Sequence, residues 1–373
     1  MDVILDLADE YVFNRVYSSL PALPLPDLTA AIAALPSWSE CLSFANSSSS
    51  SSSPSPIAAI AQNVYSALWA SNLSLHSLPT DNIFRQTLSL YVLTYLGALI
   101  MYFAFATPSY FLVFDQNHKK HPKYLKNQIK LEIMMSMKAL PNIAVMTVPW
   151  LLGEVRGWSQ LYSHIHRKDN IFGPLAPLVE PFLDGWGYVA VSIIGFLLFT
   201  DMGIYWVHRW LHHPLLYKRL HKPHHKWIIP TPFSSHAFHP VDGYMQSVPY
   251  HLFVFLVPMQ KYIYLVMFSL VNLWSVLIHD GEYLVNSAVI NSAAHHAVHH
   301  LYFNYNYGQY STLWDRIGGS YRTPDAALYD PTLRMDKAVW KKQAKDVDAF
   351  DDNGKPTAAS DRTFTTGTKM KVL

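Results

Sequence analysis

Long uninterrupted apolar runs dominate the hydrophobic pattern of this chain, rather than the alternating or 3.6-residue periods of surface elements. Residues 86–114 contain no charged side chain, more than the roughly 20 residues a bilayer-spanning helix needs. A second span is read over 139–153 together with the preceding Ile-Met-Met-Ser-Met-Lys, across Lys138, Pro141 and Pro149. A third covers 185–200 and runs on through Asp201 to Val207. Residues 243–260 and 262–278 flank Lys261 and predict a membrane hairpin, its first arm interrupted by Pro249, His251 and Pro258. The expected fold class is an all-α polytopic membrane protein with four to five membrane-embedded helices.

Composition agrees. Half of the 373 residues are hydrophobic and only 14% are charged, against roughly 25% in soluble domains. Aromatic residues make up 14% of the chain, as suits long lipid interfaces. The net charge of +2 gives no reason to expect a nucleic-acid partner. A single cysteine, Cys41, excludes an internal disulfide and a Cys-based zinc site. The acidic N-terminus lacks the basic flank of a cleavable signal peptide.

Loop charge orients the spans. His-Lys-Lys-His-Pro-Lys-Tyr-Leu-Lys-Asn-Gln-Ile-Lys, between the first two, carries five lysines and is expected in the cytosol. Residues 154–184 hold three basic and four acidic groups and fit the lumen. The third span then returns to the cytosol at His208, followed by Arg209, Lys218, Arg219, Lys222 and Lys226. The hairpin dips in and comes back near His279. Residues 1–84 have seven acidic groups, Arg15 as their one basic group, and a serine run from Ser47 to Ser53 that reads as a linker. Short apolar stretches there, such as 57–69, fit either helices lying on the membrane or a minor luminal subdomain. Two glycosylation sequons, at Asn46 and Asn72, fall on the luminal side. The last residues, Lys369-Met-Lys371-Val-Leu, match a cytosolic retrieval signal of the endoplasmic reticulum. The expected divisions are a luminal and flexible region (1–84), two spans with their loops (85–185), a catalytic region (186–323) and a cytosolic tail (324–373).

Histidine is the residue out of proportion: 14 of 19 lie between His208 and His300. Three clusters stand out. They are His208-Arg-Trp-Leu-His212-His213, His221-Lys-Pro-His224-His225 and His296-Ala-Val-His299-His300, with His295 just before the last. Residues i, i+3 and i+4 share a helix face, so each cluster is expected to aim two or three imidazoles at one point. Pro223 sits where it can open a short helix. Burying so many ionisable rings is unfavourable unless metal replaces the protons. Eight or more ligands exceed the four of one tetrahedral zinc, which points to two metals. Zinc hydrolysis wants a carboxylate base, as in His-Glu-x-x-His, and that pattern is absent; the nearby acids are Asp201, Asp242, Asp280 and Glu282. A redox metal activating dioxygen needs no such base.

These clusters, with Pro-Thr-Pro-Phe, Ser-His236-Ala-Phe-His239-Pro-Val-Asp242-Gly and Leu-Tyr-Phe-Asn-Tyr-Asn-Tyr-Gly-Gln after His300, resemble the fatty acid hydroxylase superfamily. Within it they resemble the C-5 sterol desaturase (lathosterol oxidase) branch, over roughly residues 190–323. The resemblance implies two iron ions at a cytosolic cap on the endoplasmic reticulum membrane, with zinc able to replace iron in preparations. It also implies O2 as oxidant and a Δ7-sterol substrate desaturated between C-5 and C-6. Electrons would come from NAD(P)H through a reductase and a separate cytochrome b5, since no His-Pro-Gly-Gly haem motif occurs here. Carried over by position, His208, His212, His221, His224, His225, His296, His299 and His300 are the implied ligands, and His279 an additional one. His213 is an alternative to His212. His236 and His239 fit either ligand-orienting or substrate-contacting roles, His295 a polar helix position, and His251 a functional group or a buried hydrogen bond. Asn304 to Tyr307 are expected to line the site, and Trp210, Trp227 and Trp314 to act as interface anchors. Competing readings are an acyl-lipid or sphingolipid hydroxylase of the same superfamily, a His-rich metal transporter and a zinc hydrolase. A transporter would spread histidines along the spans, whereas these gather at one face.

Overall fold

The computed structural model describes residues 2–20, 33–35, 56–69, 78–165, 185–283 and 285–349. The serine run, both sequons and the Lys369/Lys371 signal lie outside the described residues. The chain forms two units, Met1–Leu90 and Tyr91–Leu373.

In the first unit, α1 (Asp2–Ala8) passes through a π-helical turn (Asp9–Phe13) into α2 (Asn14–Ser19). The joining residues Ala8, Phe13 and Asn14 all keep right-handed helical angles, so the helix is continuous. Leu5, Asp9, Phe13 and Tyr17, spaced four apart, are its buried row. That row meets the beginning of α4 (Ile83–Leu112). The Arg85 guanidinium pairs with the Asp9 carboxylate at 3.3 Å and also donates to Asn14. The Tyr17 hydroxyl lies 2.8 Å from that of Ser89. Asn82 caps α4, its side chain accepting from the backbone N–H of Phe84 and Arg85. The cap starts the helix three residues earlier than the uncharged run alone suggests. Between them in sequence, α3 (Pro56–Trp69) is helical.

The second unit is helical as expected. Among the described residues three helices are long and apolar enough to cross a membrane: α4, α5 (Gln128–Val155) and α6 (Trp186–Leu211). Helix α5 runs straight through Pro141 and Pro149. The hairpin is α8 (Pro240–Leu256) and α9 (Lys261–Leu277), 17 residues each. At 1.5 Å per residue each arm spans about 26 Å, short of a bilayer core of about 30 Å. The four to five expected helices thus resolve into three of crossing length and a shorter hairpin. At the hairpin tip β2 (Met259–Gln260) pairs in parallel with β1 (Leu161–Tyr162), just after α5. The Gln260 side chain accepts from the first N–H groups of α9.

Two apolar clusters hold these helices together. Tyr102, Ala106, Tyr110 and Phe114 of α4 and the segment after it pack with Leu140, Phe233 and Val276. Phe196 of α6 packs with Phe253, Val254, Met259, Tyr264, Met267 and Val271. Where lipid is as apolar as the helix surface, close packing and small residues decide association. Gly203 of α6 lies directly against the ring of Pro249 in α8, leaving no room for a Cβ.

Candidate metal centre

Four elements deliver the histidines. The last turns of α6 carry His208, with His212 capping the helix. A π-helical turn (Tyr217–His221) feeds α7 (Lys222–His225), whose first turn holds Pro223. His279 follows the end of α9. The third cluster lies on α10 (Ala293–Tyr302), every residue of which is buried.

All nine ligand candidates come together, in two groups: His208, His212, His221, His225 and His299; and His224, His279, His296 and His300. Within each group the candidate ligand nitrogens lie within 4.8 Å of one another. The groups adjoin, with the rings of His225 and His300 centred 5.0 Å apart. Each cluster brings two imidazoles to one group, within the two or three expected, and the second and third clusters send their remaining ring to the other group. Adjacent residues of a helix point about 100° apart, so His224 and His225 diverge, as do His299 and His300. The i,i+4 pairs 208/212, 221/225 and 296/300 each face one group, while His224 and His299 cross to the other. Two of the three clusters therefore serve both groups.

Hydrogen bonds at the far side of the rings set the tautomers. His208 Nδ1 donates to the Tyr307 carbonyl at 3.0 Å, His299 Nδ1 to that of Tyr305 at 2.8 Å, and His279 Nδ1 to that of Ser275 at 2.6 Å. His221 Nδ1 donates to the Asp242 carboxylate at 2.8 Å, with both side chains fully buried. A carbonyl or carboxylate can only accept, so in neutral rings these four Nε2 atoms carry bare lone pairs. Yet the Nε2 atoms of His208 and His221 face each other at 3.0 Å. Those of His279 and His296 do so at 3.0 Å, and of His296 and His300 at 3.1 Å. His299 Nε2 is buried without a hydrogen-bond partner. In the His208–His221 pair, where both Nε2 atoms are fixed as lone pairs, this arrangement repels unless a positive charge sits between them. Two nitrogens each about 2.1 Å from one ion, at 90–109°, lie about 3.0–3.4 Å apart. The donor set therefore fits metal ions, one per group.

Burial, reinforced by neighbouring imidazoles, holds His224, His225, His296, His299 and His300 well below the usual imidazole range. Burial lowers His279 to about 4. The rings are thus neutral at physiological pH, the state a ligand requires.

The carbonyls of Tyr305 and Tyr307 belong to a loop held by two buried carboxylates. Asp201, from inside α6, accepts from the backbone N–H of Gln309 and Tyr310 and from the Ser311 hydroxyl. Asp315 accepts from the N–H of Tyr307 and Gly308 and from Ser320. In that loop Phe303 adopts φ +60°, an uncommon conformation for a bulky residue, of the kind that clusters near functional sites. The sequence marked Asp201 only as a nearby acid and did not single out Asp315, and it suggested Asn304–Tyr307 as site-lining residues without revealing that backbone carbonyls of this stretch orient the rings.

The remaining histidines stand apart from both groups. His213 is exposed and accepts from Leu215 N–H, and His239 caps α8 by accepting from Val241 N–H. His295 forms a capping box with Ser292. His236 contacts Ser235 and Asn272. His251 is buried beside Trp150, its Nδ1 3.4 Å from the Tyr264 hydroxyl, which matches the hydrogen-bonded reading. Trp210 is exposed as an anchor should be, and Trp314 is half-buried. Trp227 is not an anchor: it is 1% exposed and donates to the Ala237 carbonyl. A tryptophan directly after a ligand cluster is needed as core.

Fold and centre together define a helical membrane protein carrying a paired all-histidine site. The chain belongs to the fatty acid hydroxylase family, whose model matches residues 193–320. It is 45% identical over 352 residues to a Delta(7)-sterol 5(6)-desaturase of Aspergillus fumigatus, covering 94% of each chain. It is 46% identical over 354 residues to a probable Delta(7)-sterol 5(6)-desaturase of Neurospora crassa (93% of each) and 42% identical over 363 residues to the Saccharomyces cerevisiae enzyme of that name (94% of each). No solved structure matches the chain.

Proposed function

We propose that this protein is a C-5 sterol desaturase, introducing the C5–C6 double bond into a Δ7-sterol in sterol biosynthesis. The observation that carries the reading is the paired histidine centre within a chain 40–46% identical, over most of its length, to relatives bearing that name. His208, His212, His221, His225 and His299 would hold one iron ion, and His224, His279, His296 and His300 the other. Iron bound there would supply the dioxygen chemistry that removes one hydrogen from each of two neighbouring sterol carbons. The overall balance takes O2, two electrons and two protons to two waters while the sterol loses two hydrogens.

The chain's own contribution is positional. Asp242 and the carbonyls of Ser275, Tyr305 and Tyr307 keep Nδ1 protonated and turn Nε2 inward. The three spans bring a membrane-dissolved substrate to the level of α6's last turn. The centre and the C-terminus belong on the cytosolic face of the endoplasmic reticulum by loop charge, where cytochrome b5 and its NAD(P)H-dependent reductase would deliver electrons. The catalytic region is residues 186–323.

The test is the sterol profile of a null strain carrying no copy, the wild-type gene, or His224→Ala or His299→Ala. The null strain should accumulate Δ7-sterols lacking the C-5 bond, and only wild type should clear them, with both variants still found in the membrane. An unchanged profile in the null strain would sink the desaturase reading. Turnover by either variant would remove that histidine from the ligand set.

A further inference from the structure

The N-terminal helix carries three distinct rows where a simple two-sided helix has two. Leu5, Asp9, Phe13 and Tyr17 are buried against the beginning of α4. Asp6, Glu10, Asn14 and Ser18 form a polar row on one side of that seam. On the other side Ile4, Leu7, Tyr11, Val12 and Val16 are apolar and 38–59% exposed. With a repeat near four residues across the π-helical turn, 4, 12 and 16 share one edge, and 7 and 11 lie beside it. Arg15 continues the row of Leu7 and Tyr11, and its long stem can pass over apolar surface to reach water.

We propose that this third row is a lipid-contacting surface, seating the N-terminal helix in the boundary layer of the bilayer beside the mouth of the first span. The occupant is indicated by what the helix is fixed to. The buried Asp9–Arg85 pair and the Tyr17–Ser89 contact tie it to the first two turns of a span-length helix. That helix begins with Ile83 and Phe84, which are themselves 58% and 48% exposed. The exposed row thus lies on a helix fastened to the start of a span-length helix whose own first residues are exposed and apolar. Charge agrees: all the acidic side chains of the helix lie off the row, as in helices that lie in a membrane interface with one face among acyl chains. Five exposed apolar side chains along one face of so short a helix are otherwise an association liability.

The test needs no enzymatic readout and is independent of the desaturase reading. In the full chain with Cys41→Ser, single cysteines at Val12, Val16, Asp6 or Glu10 are labelled with an environment-sensitive fluorophore in lipid nanodiscs. Emission is then quenched either by nitroxide-bearing lipid or by aqueous iodide. All four positions are surface sites, so the labels should leave the fold intact. At 12 and 16 lipid quenching should exceed that at 6 and 10 severalfold, with iodide giving the opposite order. Equal access of iodide to all four positions would overturn the proposal in favour of a free surface. Protection of 12 and 16 from both quenchers would overturn it in favour of a protein partner or a second copy.

Discussion

Asp242 illustrates how one side chain outside the ligand set governs it. Its Oδ2 receives His221 Nδ1–H and its Oδ1 receives the Gln246 amide, both at 2.8 Å. In Asp242→Asn the amide can turn its NH2 toward His221, which favours the tautomer whose lone pair points away from the centre. Loss of such a partner typically lowers metal affinity or activity 10–100-fold. The purified variant should therefore hold less metal and turn over at least about tenfold more slowly, at unchanged membrane abundance. Full metal content and turnover would remove Asp242 from any orienting role. The motif His239-Pro-Val-Asp242-Gly was visible in the sequence, but nothing in it says that Asp242 reaches a histidine 21 positions earlier. The nine histidines were legible because clusters announce themselves. Their oxygen partners were not, because three of the four are backbone carbonyls that any residue carries.

At the level of elements, spacing and packing do separate jobs. The His-x-x-His-His spacing straddles two metal positions because consecutive helical residues diverge by about 100°. Packing then sets how close the elements come. Gly203→Ala would place a Cβ 2.7 Å from the Pro249 ring, where α6 and α8 meet. Overpacking of this kind costs about 1–3 kcal/mol. Gly97 in α4 has nothing within 4 Å of the same added atom, so Gly97→Ala should be neutral or gain up to about 1 kcal/mol from helix propensity. Unfolding in detergent checks the pair: Gly203→Ala should melt earlier than wild type and Gly97→Ala should not. Equal behaviour of the two variants would show that the α6–α8 contact does not limit stability. The spans themselves were readable from apolar length alone, to within a few residues, because a bilayer imposes one.

Across the whole second unit, helix α11 (Lys337–Asp348) closes over the loop after the first span. Trp340 packs edge-on against His121, and Lys123 pairs with Asp348. His121 is buried, and its Nδ1 accepts from the Lys123 backbone N–H at 3.1 Å. Burial lowers its pKa from 6.5 to about 4. The folded state thus keeps this ring neutral between pH 4 and 6.5, while the unfolded chain takes up a proton. The stability it contributes is fully present above about pH 6.5 and is lost as pH falls toward 4, on the order of 3 kcal/mol at 1.36 kcal/mol per unit. Thermal unfolding followed from pH 7 to 4.5 should drop more steeply for wild type than for His121→Phe. An identical acid slope in the variant would assign that sensitivity to other groups. This docking had no sequence signature, since no pattern in the residues after 323 points to His121 or Lys123 as partners.

The sequence by itself determined the class of molecule: apolar runs long enough for a bilayer and a density of histidine that suits metal. Those are properties of local composition and spacing, and they survive without knowledge of the fold. Only the tertiary structure decided how nine rings divide five and four, and which nitrogen is free in His208, His221, His279 and His299. It likewise decided that Trp227 is core, and that His213, His236, His239, His251 and His295 stand aside. Those outcomes depend on where a ring's second nitrogen finds an oxygen: for His279 and His299 it lies a few residues away, but for His221 and His208 it lies 21 and 99 positions on, where only the fold brings it near.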